Sequence, residues 1–172
     1  LGDGLVVDST DPVQVSGLTG VVALSGGDAH TCAIREDGTA WCWGGNGYGQ
    51  IGDSSIASAG VPVQVMLLAD VTDISAGPDH TCAVTGNGEA WCWGRNSNGM
   101  LGDGTTTEKH APVRVLIAST GSPFTNAVRI SGRGLTDSCL VDASGAGWCW
   151  GLNAYGLFGD GSSTASPRAV PA

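Results

Sequence analysis

The sequence predicts an all-β fold, a β-propeller of four-stranded blades, and three observations predict it. The first is repetition: WCWG stands at 41–44, 91–94 and 148–151, while LGDG at 1–4, IGDS at 51–54, LGDG at 101–104 and FGDG at 158–161 keep the same register. The second is a hydrophobic period of two inside each repeat, as in Thr81-Cys82-Ala83-Val84 and Glu89-Ala90-Trp91-Cys92-Trp93, bounded by glycine and asparagine clusters. The third is composition: 172 residues with 29 glycines, 41% hydrophobic and 13% charged, an ordered chain rich in turns with no stretch suited to a useful helix. Four-stranded units of about fifty residues cannot cover their own two faces and must stack on their neighbours. A propeller is the first reading and a β-solenoid the alternative.

The repeats run approximately 1–50, 51–100 and 101–157, with a partial unit at 158–172, so about three blades and a fragment are expected. In the second unit strands are expected near 71–75, 80–85, 89–93 and 113–115, with equivalents elsewhere. PVQV at 12–15 and 62–65, PVRV at 112–115 and PRAV at 167–170 mark the last strand of each unit. The longer third unit differs between Val115 and Val128, where LIASTGSPFTNAV replaces MLLADV, and an insertion confined to one point reads as a surface loop.

The six cysteines form three pairs of one spacing, Cys32 and Cys42, Cys82 and Cys92, Cys139 and Cys149. Each pair brackets a turn ending in glycine: Glu36-Asp37-Gly38, Gly86-Asn87-Gly88 and Ala143-Ser144-Gly145. That glycine suits the left-handed position of a three-residue hairpin with a bulge. Counting outward pairs Arg35 with Thr39, Ile34 with Ala40, Ala33 with Trp41 and Cys32 with Cys42. The cysteine pair falls on a non-hydrogen-bonded position, where Cα atoms lie about 4.5 Å apart, within disulfide range. Three disulfides inside the hairpins are the economical reading. Zinc prefers closer thiolate pairs with further ligands nearby, and buried free thiols would not explain three facing pairs. Closing each eleven-residue ring contributes at most roughly 3 kcal/mol. Persistent disulfides imply an oxidising compartment, and an extracellular or cell-surface protein is expected.

A net charge of −9 rests on only seven basic residues, Arg35, Arg95, Lys109, Arg114, Arg129, Arg133 and Arg168, scattered singly. Binding to a nucleic-acid backbone is not expected. No apolar run approaches the roughly 18 to 20 residues that cross a bilayer, so no membrane span is expected, and no signal peptide is visible. The chain opens at Leu1 without Met inside a Gly-Asp-Gly loop and stops after a fourth Pro-x-x-Val element, which reads as a piece of a continuing array.

The segments GGDAHTCAIREDGTAWCWGGNGYGQIGD (26–53) and AGPDHTCAVTGNGEAWCWGRNSNGMLGD (76–103) resemble the repeats of the regulator of chromosome condensation family. The resemblance implies a six- or seven-bladed ring with four strands per blade, of which this chain supplies about half. The family includes nucleotide-exchange factors for a small nuclear GTPase, chromatin-bound proteins and secreted bacterial propellers, among them a β-lactamase inhibitor. Paired hairpin cysteines look like the secreted bacterial kind, and nucleotide exchange is not expected of this acidic, cysteine-bearing chain. The third unit departs from the pattern, with Asp137 where the others have His30 and His80, and Gly132-Arg133-Gly134 where the first has Gly26-Gly27-Asp28.

No constellation for catalysis is visible, and neither a nucleophile elbow nor a phosphate loop occurs. No enzyme activity, cofactor or metal is therefore expected. His30 and His80 recur at blade spacing and read as structural. Asp53, Asp103 and Asp160 each offer one carboxylate per loop, which suits turn capping better than calcium. The tryptophans flank each second cysteine, so each disulfide is expected to pack near the tryptophan face of the next blade. Exposed indoles would instead favour a sugar platform. Binding through face loops is the expected work, and the variable stretches are 54–60, 105–111 and 118–126. Phe124, Arg133 and Asp137 are the candidate partner-binding residues, Phe124 as an exposed aromatic anchor or as a group folded back on the blade. The first reading is a non-catalytic module for a protein partner, and the alternative is a carbohydrate-binding or enzyme-inhibitory propeller. Two open sheet faces are expected, to be covered by further blades of the same or another chain, as a homo-oligomer or filament.

Overall fold

Three hairpins of one register organise the chain, as counting from their glycines predicts. The computed structural model describes residues 1–5, 7–132 and 134–172. Gly38, Gly88 and Gly145 turn at φ 75°, 79° and 87°, a region open to glycine and strained for most other residues. The N–H groups of Arg35, Thr85 and Asp142 each donate to the residue after the turn, Thr39, Glu89 and Ala146, at 3.0 Å. Cys32 then faces Cys42, Cys82 faces Cys92 and Cys139 faces Cys149. All three pairs are disulfides with Cα atoms 4.1 Å apart, and no described cysteine is free.

Each hairpin is the centre of a four-stranded antiparallel sheet with strands in chain order. The first holds β1 (Val21–Gly26), β2 (His30–Arg35), β3 (Ala40–Gly44) and β4 (Ala59–Gln64); the second β5 (Val71–Ala76), β6 (His80–Thr85), β7 (Ala90–Gly94) and β8 (Lys109–Arg114). The third holds β9 (Ala127–Ser131), β10 (Asp137–Asp142), β11 (Gly147–Gly151) and β12 (Ser166–Pro171). The fourth strand of the second sheet was expected near 113–115 and starts earlier, because Lys109 already pairs with Gly94 and Val113 with Cys92. Pro62, Pro112 and Pro167 all lie on these fourth strands, at a sheet edge where a missing N–H is tolerated.

Sheet and sequence repeat are out of phase. Each fourth strand comes from the repeat after the one that supplies the first three, so the partial unit 158–172 completes the third sheet. The fragment left over lies at the other end: among the described residues of 1–20 there is no strand, although they carry the fourth-strand motif Pro12-Val13-Gln14-Val15.

Two cores lie between the three sheets. One gathers Cys32, Cys42, Ile34 and Ile51 of the first sheet and its loop with Ile74 and Trp93 of the second; the other gathers Cys82, Cys92, Val84 and Leu101 with Ile130 and Trp150 of the third. The disulfide of one sheet thus packs near the tryptophan of the next. The insertion follows the edge of β12, with the Ala118 N–H donating to Ala169 O at 2.9 Å. Phe124 is 1% exposed and meets the Trp148 ring edge-on at 5.2 Å. This corrects its reading as a surface anchor: counting back from the first strand, Phe124 takes the place of Leu68 in the preceding linker, an apolar plug under the sheet.

Candidate interaction surfaces

The junctions between sheets are built from one repeated polar lock. His30 Nε2 lies 2.8 Å from Thr81 Oγ1, the Thr81 hydroxyl donates to Gln50 O at 2.8 Å, and the Trp93 indole N–H donates to the same carbonyl at 2.8 Å. At the next junction His80 Nε2 lies 2.9 Å from Ser138 Oγ, while Ser138 and Trp150 donate to Met100 O at 3.0 and 2.8 Å. Since the hydroxyl proton goes to the carbonyl, the hydroxyl oxygen accepts from histidine. Nε2 therefore carries the hydrogen and Nδ1 is bare. Burial is the main force pushing both histidines down to about 4, against a partial upward pull on His30 from Asp79 and Asp28. These residues join blades.

The β3–β4 type loops are closed by asparagine. Asn46 Nδ2 donates to Ser55 O and Oγ and to Ala57 O at 3.1 to 3.2 Å, with Asp53 Oδ1 at 3.4 Å; Asn96 repeats this against Asp103, Thr105 and Thr107. An amide thus fills the oxygen-lined centre of each loop. Asp53, Asp103 and Asp160 accept from the backbone N–H two residues on at 2.8 to 3.0 Å, the turn-capping role. Among the described residues no cluster of three or more His, Cys, Asp or Glu is placed to hold a metal ion.

The tryptophans divide into two sets. Trp43, Trp93 and Trp150 are buried, while Trp41, Trp91 and Trp148 are half-buried. Trp41 donates to Thr39 Oγ1 at 2.9 Å, Trp148 donates to Asp142 Oδ2 at 3.0 Å, and the Arg114 guanidinium lies 5.0 Å over Trp91. Hydrogen bonds, first from the Ser144 hydroxyl and then from Trp148, hold the Asp142 carboxyl down at about 2. No indole stands exposed as a platform for a sugar ring.

Of the residues expected to bind a partner, Phe124 is buried, Arg133 lies outside the described residues, and Asp137 opens β10 on the outer side of the third sheet. Burial pushes the half-buried Asp137 carboxyl upward. Asp137 does not form one site with Phe124, which sits at the opposite end of the sheets. At the end where β10 begins, the described surface carries aromatic and cationic groups that sequence reasoning missed. Arg95 lies 5.3 Å over the Tyr48 ring and pairs with Asp79 at 3.1 Å. Tyr155, in the equivalent loop of the third unit, is 99% exposed at φ 69°. The signal was present: the two tyrosines of the chain stand at matching places, Asn46-Gly47-Tyr48-Gly49 and Asn153-Ala154-Tyr155-Gly156.

Family models described as the regulator of chromosome condensation (RCC1) repeat match residues 37–84 and 87–132, and residues 21–50 and 71–99. The E3 ubiquitin-protein ligase HERC2 of Homo sapiens, like that of Mus musculus, is 43% identical over 56 residues, 30% of this chain and 1% of the ligase. The crystal structure of human WBSCR16 superposes with a TM-score of 0.75 at 21% identity, over 88% of this chain and 39% of that one. Yeast RCC1 (Prp20), solved bound to Kap60, gives 0.70 at 22% identity, over 90% and 37%. The chain thus spans a small part of the ligase and under half of the superposed structures, whose likeness is one of fold.

Proposed function

The chain belongs to the regulator of chromosome condensation repeat family, and on that premise we propose that it is a non-catalytic extracellular propeller segment. It binds a protein partner through the loop face carrying Tyr48, Arg95 and Tyr155. The observation that carries this reading is Tyr155, a large aromatic 99% exposed on a loop otherwise closed by buried Asn153. Rigidly presented tyrosine and arginine are the side chains that most often anchor protein interfaces. The extracellular placement is supported by three disulfides in register. The yeast relative is named with Kap60, Gsp1p and histones, partners of that protein at 20 to 22% identity. The acidic charge of this chain argues for a different partner.

The test is capture of secreted proteins from the source organism on the immobilised chain. Capture should be lost in Tyr155→Ala and Arg95→Ala and kept in Arg35→Ala, at the other end of the sheets. Capture unaffected by Tyr155→Ala and Arg95→Ala would overturn the assignment of the face, and a preponderance of reduced thiols in the native protein would overturn the compartment.

A further inference from the structure

The half-buried tryptophan of each third strand lies beside the hairpin turn and the linker that leads into its sheet, and the three sheets finish this corner differently. In the first sheet the Trp41 N–H donates to Thr39 Oγ1 at 2.9 Å, and Arg35 Nε donates to the linker carbonyl Thr19 O at 2.8 Å. In the third the Trp148 N–H donates to Asp142 Oδ2 at 3.0 Å, and Phe124 packs edge-on against the ring. In the second, Thr85 stands where Asp142 stands and Glu89 where Thr39 stands. The Thr85 hydroxyl donates to Asn87 Oδ1 at 2.6 Å, and the Glu89 carboxylate pairs with Arg114 at 2.7 Å. The Trp91 N–H is buried and has no acceptor among the described residues, a state that is rare and costly for a donor.

The same corner of the second sheet holds a cleft of about 180 Å³, bordered by Trp91, Thr85, Asn87, Glu89, Asp70 and Leu67. Both positions that supply the tryptophan's acceptor in the other sheets, 85 and 89, line it. We infer that this cleft binds one neutral sugar residue, a hydroxyl of which accepts the Trp91 N–H in the role that Thr39 and Asp142 fill elsewhere. The cleft belongs to the middle sheet, which has a sheet on either side. It lies at the hairpin end, away from the loop face that carries Tyr155.

The polar groups select the ligand. Asn87 uses its carbonyl on the Thr85 hydroxyl and the Glu89 N–H, which leaves its amide hydrogens to donate. The exposed Asp70 carboxylate forms no ion pair among the described residues and lies against Gly86, where a Cβ would run into Oδ2. Two donors, the indole and the amide, therefore stand beside two carboxylates. An ammonium or guanidinium would suit the carboxylates and leave the indole unpaired, whereas a carboxylate would meet Asp70 and Glu89 as like charges. Adjacent hydroxyls on a neutral ring serve both sets, since each donates and accepts, and their bonds to carboxylates are the strong, charge-assisted kind. Leu67, 74% exposed at φ 63°, gives the rim an apolar wall for the C–H groups of the ring. The Arg114 guanidinium lies 5.0 Å over the Trp91 ring, so the indole serves through its N–H edge and not as a stacking platform. Side chains close that N–H to water, and the entering hydroxyl must move one of them.

The test follows the indole N–H signals of the isotope-labelled 172-residue chain by NMR as glucose, galactose, mannose or fucose is added to about 50 mM, where a millimolar Kd saturates. The Trp91 signal, identified by its loss in Trp91→Phe, should shift with at least one sugar while the other indole signals hold still. Asp70→Asn, at an exposed position of φ 54° that asparagine adopts readily, should raise the Kd about tenfold or more. Thr85→Asp gives Trp91 the acceptor that Asp142 gives Trp148, and should abolish the sugar response with the remaining indole signals unchanged. No response to any of the four sugars, a response to acetamide instead, or sugar binding unchanged in Asp70→Asn or in folded Thr85→Asp would each overturn the inference.

Discussion

Ile74 and Leu24 are the same residue in the repeat, and so are Val84 and Val141, yet one of each pair is buried in an inner junction and the other faces solvent on an end sheet. The inner junctions and the end faces share strand pairing, hairpin turn and disulfide, with Asp137 in place of the histidine on the third sheet. The difference teaches that the stabilising unit is the contact between blades. A blade supplies half of two such contacts, and an apolar side chain in this repeat stabilises only when the next sheet covers it.

The largest effect should come from Trp93→Ala, which empties a fully buried site and leaves Gln50 O with the Thr81 hydroxyl as its one remaining lock donor: a loss of about 3 to 5 kcal/mol in urea unfolding. Trp43→Ala, covered by the N-terminal segment at Gly2 instead of a full blade, should cost clearly less. Equal losses would break the comparison.

Acid should strike the inner junctions next. Both lock histidines have folded values of about 4 against an ordinary 6.5, so their neutral forms favour folding. That contribution is complete above pH 6.5 and is lost as pH falls from 6.5 to 4, by about 3 kcal/mol for each histidine. His80→Gln, which keeps a donor for Ser138, should remove about half of that loss and leave the share of His30. The lowered carboxyls of Asp37, Asp142 and Asp160 act only below pH 3.8, so the two phases separate on titration.

A finer contrast is Ile74→Ala, expected to cost about 2 to 4 kcal/mol, against Leu24→Ala within about 0.5 kcal/mol in the single chain. Smallest of all, Tyr155→Ala should leave stability unchanged within about 0.5 kcal/mol. A larger loss would mean that this tyrosine packs within its own blade and would remove it from the binding face.

The hairpins were legible because their information is local. Three residues ending in glycine set the turn, the turn sets the register, and the register sets the disulfides without any help from distant contacts. The loop-closing role of Asp53 and Asp103 is local in the same way. Phe124 was not legible, since an aromatic in a polar insertion looks the same whether it points outward or under the sheet. Only alignment with Leu68, by position before the first strand, distinguishes them. Tyr155 was not legible as a surface group because its loop keeps the length of its counterparts and Tyr48 stands at the matching place; only the fold separates them, at 99% and 36% exposure.

By itself the sequence determined the repeat, the strand pattern and the cysteine pairing, all consequences of spacing along one chain, and its motifs carried the resemblance to the family. The tertiary structure decided the phase between repeat and sheet, the shared acceptors of Trp93 and Trp150, the tautomer of His30 and His80 and which end of the sheets presents tyrosine and arginine. The physical reason is range: backbone pairing across a hairpin is settled within about ten residues, whereas burial at a blade junction depends on groups some fifty residues away that meet only when the sheets stack.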